Sequence, residues 1–381
     1  MPTTDGISWS RSCGRSSKRR ERPLAATIRI GQHEIGDQSR CYVIAEIGHN
    51  HQGSVEKARE LFREAKLAGA HAVKLQKRDN QGLYTRAAYD KPYDNENSFG
   101  STYGEHREFL EFGLKEYREL QTLASELGLD FFATAFDLAS ADFLHELDVP
   151  AYKIASGDLK STPLLQHVAS FGKPVVISTG GALIDDVQRA YDTIMPINSQ
   201  LAILQCTAGY PAAFEELDLR VISSFRERFP GAVIGFSSHD NGIAMPVAAY
   251  ILGARIVEKH FTLNRASKGT DHAFSLEPVG LRKMVRDLER THKALGNGVK
   301  KIYESEKAPI TKMSKSLVVA RDLPSGHLLG RADIVMKSPG GGIPPYELES
   351  VLGRVTLRPL KEDDFLTFEV LSKPDVELAR S

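Results

Sequence analysis

Eight short apolar runs, separated by amphipathic segments, constrain the fold of this chain more than any other feature. The segments between the runs, such as 54–67 and 114–127, carry apolar residues at helical spacing. Strands that alternate with helices form parallel βαβ units, and a count of eight favours a closed (β/α)8 TIM barrel over an open sheet. The runs occupy residues 43–47, 72–76, 131–134, 151–155, 174–178, 201–205, 232–236 and 255–260.

The barrel accounts for only part of the chain. The segment 79–107 is polar, contains four tyrosines and predicts a long loop after the second strand. The last region is a compact module of short strands, Pro/Gly turns and one short helix at 345–351. Fewer than 60 residues make a marginal core, so we expect this module to dock on another surface. The predicted regions are a disordered basic tail (1–25), the barrel with an N-terminal hairpin (26–296), a linker (297–314) and the β-rich module (315–372).

Charge and cysteine content exclude several classes of function. Lys and Arg number 49, as do Asp and Glu, so the chain lacks the overall positive charge of a nucleic-acid-binding protein. No apolar run is long enough to span a bilayer, so we expect no membrane partner. Cys13, Cys41 and Cys206 have neither zinc-site spacing nor a disulfide pattern, which favours a reducing, cytoplasmic location.

The chemistry of a barrel enzyme lies at the carboxyl ends of its strands. Lys74 and Lys153 lie within predicted strands, where a buried ammonium needs a carboxylate partner or an anionic ligand. One interpretation is a structural ion pair with Glu46 or Glu258. We favour a phosphate or carboxylate cradle, because hydroxyl side chains that supply directional donors end the same strands. These side chains are Thr134, Ser156, Ser178 and Ser237.

Two histidines, His239 and His260, end adjacent predicted strands. They are either satisfied core residues or a metal-binding pair, and the carboxylates beside them favour neither strongly. Asp271 follows in a polar loop that we expect to face the same mouth. Cys206 is interpreted as a small buried hydrophobe. Weaker metal-binding candidates are His49, His51 and His272.

Seven motifs occur in the order and spacing that the sialic acid synthases have, and the chain resembles that family from residue 28 to 371. The C-terminal module is similar to the SAF (antifreeze-like) domain of the same family. Each motif alone is weak, whereas all of them in register are specific. The motifs are VIAEIGHNHQG, AVKLQ, AYKIASGD, VVISTGG, LQCTAGYP, IGFSSHD and IVEKHFT.

The resemblance implies a condensation in which phosphoenolpyruvate attacks the aldehyde of N-acetylmannosamine and phosphate leaves. The first expectation is an N-acetylneuraminate synthase that uses the free sugar. The alternatives are a 9-phosphate synthase that uses N-acetylmannosamine 6-phosphate and a related legionaminic- or pseudaminic-type synthase. A non-catalytic carbohydrate- or ice-binding protein is a remote alternative, because it needs no lysines and histidines at one barrel mouth.

The resemblance also implies a role for each matched residue. The catalytic residues would be Glu46, as acid/base group, with His239 and His260, which would bind Mn²⁺, or alternatively Mg²⁺ or Co²⁺. The residues expected to bind phosphoenolpyruvate are Lys74, Thr134, Lys153, Ser156, Ser178 and Ser237. The other substrate-binding positions are Gln76, Asp158, Tyr210, Glu258 and Asp271, of which Gln76, Tyr210 and Asp271 would contact the amino sugar.

Three positions depart from the family pattern. Ala208 stands where the family often has an Asn that binds phosphate, and Asp158 stands where many bacterial members have Glu. Ser338 stands where the SAF domain often has an Arg, and the neighbouring Lys337 is a candidate substitute. The resemblance further implies a domain-swapped homodimer in which each SAF domain caps the partner's barrel mouth.

Overall fold

The computed structural model describes residues 26–373, so the predicted disordered tail (1–25) lies outside the described residues. The chain begins with an antiparallel hairpin of β1 (Ile28–Ile30) and β2 (His33–Ile35). Gly31 lies in its turn with φ +54°, a conformation that glycine adopts without steric cost. This hairpin is the one that the sequence predicts.

Eight parallel strands form a closed barrel, which confirms the predicted fold class. The last barrel strand pairs with the first, so the sheet has no free edge. Its strands are buried almost throughout, as expected where helices cover the outer face and side chains fill the interior. The strands are β3 (Tyr42–Gly48), β4 (Ala72–Lys77), β5 (Asp130–Ala135), β6 (Tyr152–Ile154), β7 (Val175–Ser178), β8 (Leu201–Cys206), β9 (Val233–Ser238) and β10 (Ile256–His260).

Helices follow the barrel strands as the amphipathic segments predict. The first begins after Ser54, whose hydroxyl accepts a hydrogen bond from the Lys57 amide, and ends at Gly69 with φ +90°. The helices up to the end of the barrel are α1 (Val55–Ala68), α2 (Asn80–Leu83), α3 (Arg86–Tyr89), α4 (Tyr103–Leu110), α5 (Leu114–Leu127), α6 (Leu138–Glu146), α7 (Thr162–Ser170), α8 (Ile184–Ile194), α9 (Val221–Arg228), α10 (Ala244–Leu252) and α11 (Pro278–Leu295).

The segment 79–107 differs from the predicted loop. It contains α2, α3 and the start of α4, and α4 begins with a capping box between Thr102 and Glu105. The Tyr103 ring contacts the rings of Tyr84 and Tyr93, so the tyrosines pack within the segment. The prediction of a loop was wrong here because helices of four residues are too short to show a hydrophobic period.

The second compact unit begins at Asn297. Residues 297–314, interpreted from the sequence as a linker, contain the helix α12 (Glu304–Met313). This helix buries none of its residues, which explains why its sequence has no apolar period. The strands β11 (Ser316–Val319) and β12 (Ile334–Lys337) pair antiparallel, and a 3₁₀ turn leads into α13 (Leu348–Val351), where the sequence predicts a short helix.

The unit has its own small core. Apolar side chains from β11 and from the loops around it are buried together, among them Leu317, Val319, Leu323, Leu360 and Leu366. Lys337, the candidate substitute for the missing Arg, forms an ion pair with Asp363 at 2.5 Å. Within residues 26–373, no helix has both the length and the apolar character needed to cross a membrane.

Candidate active site

The parallel strands bring the predicted site residues together at the carboxyl end of the barrel. Glu46 and Lys74 are direct partners in the register of β3 and β4, and Gln76 is opposite Thr134 in the register of β4 and β5. His260 is opposite Glu46, where β10 closes the barrel against β3. Residues far apart in sequence are therefore neighbours at one mouth, as expected for a TIM barrel.

Lys74 lies at the centre of a buried polar network. Its ammonium contacts Glu46 Oε2 at 2.5 Å and Glu258 Oε1 at 3.7 Å, and donates to Thr134 Oγ1 at 2.8 Å. The lysine and Glu46 are each 2% exposed. Lys74 thus forms the ion pairs with Glu46 and Glu258 that one interpretation of the sequence predicted.

Glu46 is held between Lys74 and the Gln76 amide, which donates to Glu46 Oε1 at 2.9 Å. Burial raises the pKa of the Glu46 carboxyl to about 7, since desolvation and the nearby Glu258 outweigh the opposing charge of Lys74. A carboxyl group with a pKa near neutrality can both accept and release a proton under physiological conditions. This property fits an acid/base group.

Lys153 differs from Lys74 because it has no acidic partner. Its ammonium donates to Ser178 Oγ at 2.7 Å and to the Ile154 carbonyl at 2.9 Å, and it is 2% exposed. Among residues 26–373, no carboxylate lies within 4.0 Å of it. Burial lowers the Lys153 pKa, the response expected of an ammonium that lacks a close counter-charge.

Small polar side chains lie beside Lys153, and we call Lys153 with Ser156, Ser178 and Ser237 the wall of the site. The Gly180 amide donates to Ser156 Oγ at 2.9 Å, and Ser237 Oγ donates to Glu258 at 3.4 Å. A Cβ on Gly180 would lie 2.9 Å from the Ala208 side chain, so only glycine fits here. Ala208 therefore faces this loop without supplying a polar contact of its own.

At the carboxyl ends of β9 and β10, the rings of His239 and His260 lie 5.3 Å apart between centroids. His239 Nδ1 donates to the Thr207 carbonyl at 2.8 Å, which leaves Nε2 as the nitrogen with a free lone pair. His260 Nδ1 is buried without a hydrogen-bond partner, and Asp271 Oδ2 is 3.7 Å away from it. Each ring thus has a nitrogen that is available to a ligand.

Burial lowers the pKa of His239 to about 4, helped by the neighbouring His260, and it lowers the pKa of His260 as well. Both rings are thus neutral near pH 7, which is the form that binds metal ions. The described part of the chain holds no cluster of three or more His, Cys, Asp or Glu that could enclose a metal. The pair fits a divalent ion whose other ligands are oxygens of water or substrate.

Aromatic side chains surround the histidine pair. The Tyr210 ring packs at 4.3 Å from that of His239, and Phe274 packs at 4.9 Å from that of His260. Tyr210 is 57% exposed at the mouth, consistent with its predicted contact with substrate. Phe274, which lies two residues after His272 in a loop without a recognisable motif, was not predicted from the sequence.

The weaker candidates lie apart from this pair. His51 stacks on Phe112 at 4.1 Å and accepts a hydrogen bond from the Gly53 amide, as a core histidine does. The His272 ring is hydrogen-bonded to Thr262 Oγ1 at 2.7 Å. Cys206 is buried, and burial raises the pKa of its thiol, in agreement with its interpretation as a hydrophobe rather than a nucleophile.

A basic cluster beside Gln76 was not predicted. The Arg78 guanidinium donates to Gln76 Oε1 at 2.8 Å and contacts His49 Nε2 at 3.1 Å, while the Arg107 guanidinium contacts His49 Nδ1 at 3.2 Å. Burial and the two arginines hold the pKa of His49 far below its usual value, so its ring is neutral. A neutral imidazole has one acceptor nitrogen and one N–H donor. In one of the two contacts, an arginine N–H therefore faces the N–H of the His49 ring.

Asp158, predicted from the motif after β6, lies within the electrostatic reach of this cluster. Burial raises its pKa to about 6, and the charge of Arg78 opposes that rise. One signal for this cluster is present in the sequence: Arg78 lies two residues after Gln76, directly after β4. Arg107 lies in the 79–107 segment. Neither position has a metal or nucleophile spacing that would have marked it.

Two protein-family models match the chain. The NeuB family model covers residues 61–300, and the SAF domain model covers residues 314–372. The N-acetylneuraminate-9-phosphate synthase of Homo sapiens is 40% identical over 338 residues, which cover 88% of this chain and 94% of that protein. The N,N'-diacetyllegionaminic acid synthase of Legionella pneumophila is 34% identical, covering 84% of this chain and 91% of that protein.

A solved structure is also similar to this chain. The N-acetylneuraminic acid (sialic acid) synthetase of Leptospira borgpetersenii, crystallised with citrate, superposes with a TM-score of 0.66 at 31% identity. The match covers 75% of this chain and 95% of that one. The similarity thus includes both the overall sequence and the barrel architecture.

Proposed function

This chain belongs to the NeuB family of sialic acid and related nonulosonic acid synthases, and on that premise we propose that it condenses phosphoenolpyruvate with an N-acetylated amino sugar. The C3 carbon of phosphoenolpyruvate forms a bond to the aldehyde carbon of the open-chain sugar. Water adds at C2, the C2–O bond to phosphate breaks, and inorganic phosphate leaves. The product is a nine-carbon 2-keto sugar acid.

The observation that carries this proposal is the environment of Lys153. An ammonium that is 2% exposed and bonded only to neutral oxygens is costly to bury, and an anionic substrate would remove that cost. Phosphoenolpyruvate supplies both a carboxylate and a phosphate. We assign it to the wall formed by Lys153, Ser156, Ser178 and Ser237, with Lys74 and Thr134 at its inner end.

Glu46 would move the proton that the reaction requires. Its carboxyl lies beside the Lys74 ammonium, and its pKa of about 7 lets it be protonated or ionised with little cost at neutral pH. Glu258, which contacts both Lys74 and Ser237, would keep these donors oriented toward the substrate.

His239 and His260 would hold a divalent cation, for which we propose Mn²⁺, with Mg²⁺ or Co²⁺ as alternatives. Such an ion, when bound, supplies Lewis-acid polarisation of the aldehyde carbonyl. The chain's own part is to keep both imidazoles neutral and their nitrogens free. The hydrogen bond from His239 to the Thr207 carbonyl and the burial of both rings accomplish this.

The amino sugar would be contacted by Gln76, Asp158, Tyr210 and Asp271. For the acceptor we propose N-acetylmannosamine 6-phosphate ahead of the free sugar. The relatives named N-acetylneuraminate-9-phosphate synthase support this choice, and so does the cluster of Arg78, His49 and Arg107. An oxyanion accepting from both guanidiniums would relieve the donor-against-donor contact at His49.

Relatives named for legionaminic and pseudaminic acids leave other amino sugars as the second candidate acceptors. Such acceptors would undergo the same proposed condensation on this chain. A non-catalytic binding protein has less support, because such a protein gains nothing from burying Lys153 and an acid/base carboxyl at the same mouth.

A phosphate-release assay tests the proposal. Full-length protein receives phosphoenolpyruvate and Mn²⁺, with N-acetylmannosamine, its 6-phosphate or mannose as acceptor, beside an EDTA control. We expect metal-dependent phosphate release, fastest with the 6-phosphate, and a nine-carbon acid of the matching mass. Folded, metal-loaded protein that releases no phosphate with any N-acetylated amino sugar would contradict the proposal.

One pair of variants separates the acceptor from the reaction. Arg107→Met should raise the KM for the 6-phosphate about tenfold or more, since a charge-assisted bond is lost, and leave the KM for the free sugar nearly unchanged. Arg118→Met removes an exposed arginine that pairs with Glu146, and serves as the control. Equal effects of Arg107→Met on both acceptors would contradict the assignment of the phosphate subsite.

A further inference from the structure

A second buried lysine network lies behind the histidine pair and has no part in the proposed reaction. The Lys259 ammonium donates to Ser238 Oγ at 2.9 Å and to Asp240 Oδ1 at 3.1 Å. It also donates to the Asp240 main-chain carbonyl, and Ser238 Oγ donates to the Asp240 carboxylate. The side chains of Lys259 and Asp240 are 0% and 1% exposed.

The stability of the fold does not account for this pair. Removing two charges from water costs several kcal/mol per ion, and apolar side chains of similar volume in their place are often neutral or stabilising. Asp240 Oδ2 moreover has no hydrogen-bond partner within the described chain. A pair that is expensive and incompletely satisfied points to a geometric role.

The position of the pair supplies that role. Lys259 is opposite Ser238 in the register of β9 and β10, and it directly precedes His260. Ser238 and Asp240 are the two neighbours of His239 in sequence. Because side chains alternate along a strand, Lys259 lies on the face of β10 opposite that of Glu258 and His260. One ammonium therefore binds both residues that flank the first histidine and adjoins the second.

Two nitrogens that bind one ion at about 2.1 Å each must stay within about 4 Å of one another. His239 lies just beyond the end of β9, where the strand no longer has ladder hydrogen bonds to β10 to hold it. The bond from Lys259 to the Asp240 carbonyl replaces that ladder for the residue that follows His239.

We propose that Lys259 and Asp240 are positioning residues, which fix the distance between the His239 and His260 rings so that both can bind one divalent cation. The inference rests on the proposed metal site and extends it to two residues that touch neither substrate nor metal. On this inference, the ion pair of Lys259 and Asp240 preorganises the metal site and does not serve the stability of the barrel.

The test is the affinity of the full-length protein for Mn²⁺, measured from the electron paramagnetic resonance signal of the free ion without any substrate. The double variant Lys259→Met/Asp240→Leu replaces the ion pair by apolar side chains. We expect its melting temperature to be retained or raised, and its Mn²⁺ affinity to fall about tenfold or more, as for lost outer contacts of metal sites. Arg226→Met, which breaks the ion pair of Asp37 with the helix that precedes β9 and touches neither histidine, should leave the affinity unchanged.

Asp240→Asn keeps the shape of the side chain and covers the case in which the double variant does not fold. It should weaken Mn²⁺ binding in the same direction by a smaller factor. Wild-type Mn²⁺ affinity in either folded variant would overturn the inference. His239→Ala separates the two levels of the argument, because unchanged Mn²⁺ binding in that variant would refute the metal site itself.

Discussion

At the scale of single residues, the two buried lysines of the mouth contrast with each other. Lys74 has the Glu46 carboxylate at 2.5 Å, whereas the partners of Lys153 are a hydroxyl and a main-chain carbonyl. Neutral oxygens only partly replace the water that an ammonium loses on burial. The burial of Lys153 therefore costs stability, and the anion binding that we propose for it would offset that cost.

Lys153→Met tests this trade-off. The variant removes a buried charge, so we expect an unchanged or higher melting temperature together with a fall in kcat/KM for phosphoenolpyruvate of about 100-fold or more, as loss of a charged contact requires. Lys173→Met, which removes a lysine paired with Asp148 at the barrel surface, is the control. Full activity of Lys153→Met would refute its role in anion binding.

Glu46→Gln should lower turnover by about 100-fold, the usual contribution of a general acid or base. It should also change the pH dependence of stability. The folded pKa of Glu46 is about 7, above its ordinary value of 4.5, so the protonated carboxyl contributes stability below pH 4.5 that is lost as the pH rises through 7. Glutamine stays neutral at every pH.

Thermal denaturation in EDTA measures this difference. The melting temperature of the wild type should fall relative to that of Glu46→Gln between pH 4.5 and 7. A difference that stays constant over this range would mean that the Glu46 carboxyl titrates at its ordinary pKa.

Spacing along a strand predicts which side chains lie together in the barrel. Lys74 and Gln76, like Glu258 and His260, are two apart on a strand and so had to share a face. Phe274, Arg78 and Arg107 escaped prediction for a physical reason. Their contacts to the histidines are set by loop conformation, which no periodicity in the sequence encodes.

At the scale of secondary structure, all eight barrel strands were predicted within one or two residues, because strands buried on both faces are continuous apolar runs. The short helices α2 and α3 and the exposed α12 were not predicted. The first two are too short for a hydrophobic period, and α12 buries none of its residues, so it has no apolar stripe to recognise.

In the second unit, the carboxylate of Asp333 stabilises the turn before β12. Asp333 accepts from His327 at 2.8 Å, from the Gly330 amide at 3.0 Å and from Arg321 at 2.7 Å. These hydrogen bonds, that of His327 first, lower its pKa to about 2 from 3.8. The stabilisation is therefore present above pH 3.8 and is lost as the pH falls toward 2.

Asp333→Asn should reduce the hydrogen-exchange protection of residues 316–337 in the full-length protein at pH 5. At pH 2.5, after correction for the intrinsic exchange rate, the difference between wild type and variant should be clearly smaller, because part of the stabilisation by the ionised Asp333 is then lost. Asp322→Asn, which removes an exposed partner of Lys361, should have a smaller effect. A loss of protection that is equal at both pH values would contradict the titration of Asp333.

At the scale of the whole molecule, the chain has two compact units, and the second leaves several large apolar side chains exposed. Among these are Leu328, Tyr346, Leu357 and Phe368. A small unit with an exposed apolar surface favours association, so the homodimer stays a prediction of this account. Sedimentation of active protein should give twice the chain mass of 42.0 kDa, and a fully active monomer would contradict it.

In the proposed reaction, phosphoenolpyruvate loses phosphate by C–O cleavage after the new C–C bond has formed. The direct measurement uses phosphoenolpyruvate labelled with ¹⁸O in the bridge between C2 and phosphorus, with N-acetylmannosamine 6-phosphate, Mn²⁺ and mass analysis of both products. We predict that ¹⁸O appears in the inorganic phosphate, in equal amount to a nine-carbon acid. Unlabelled phosphate, or labelled phosphate without that acid, would contradict the account.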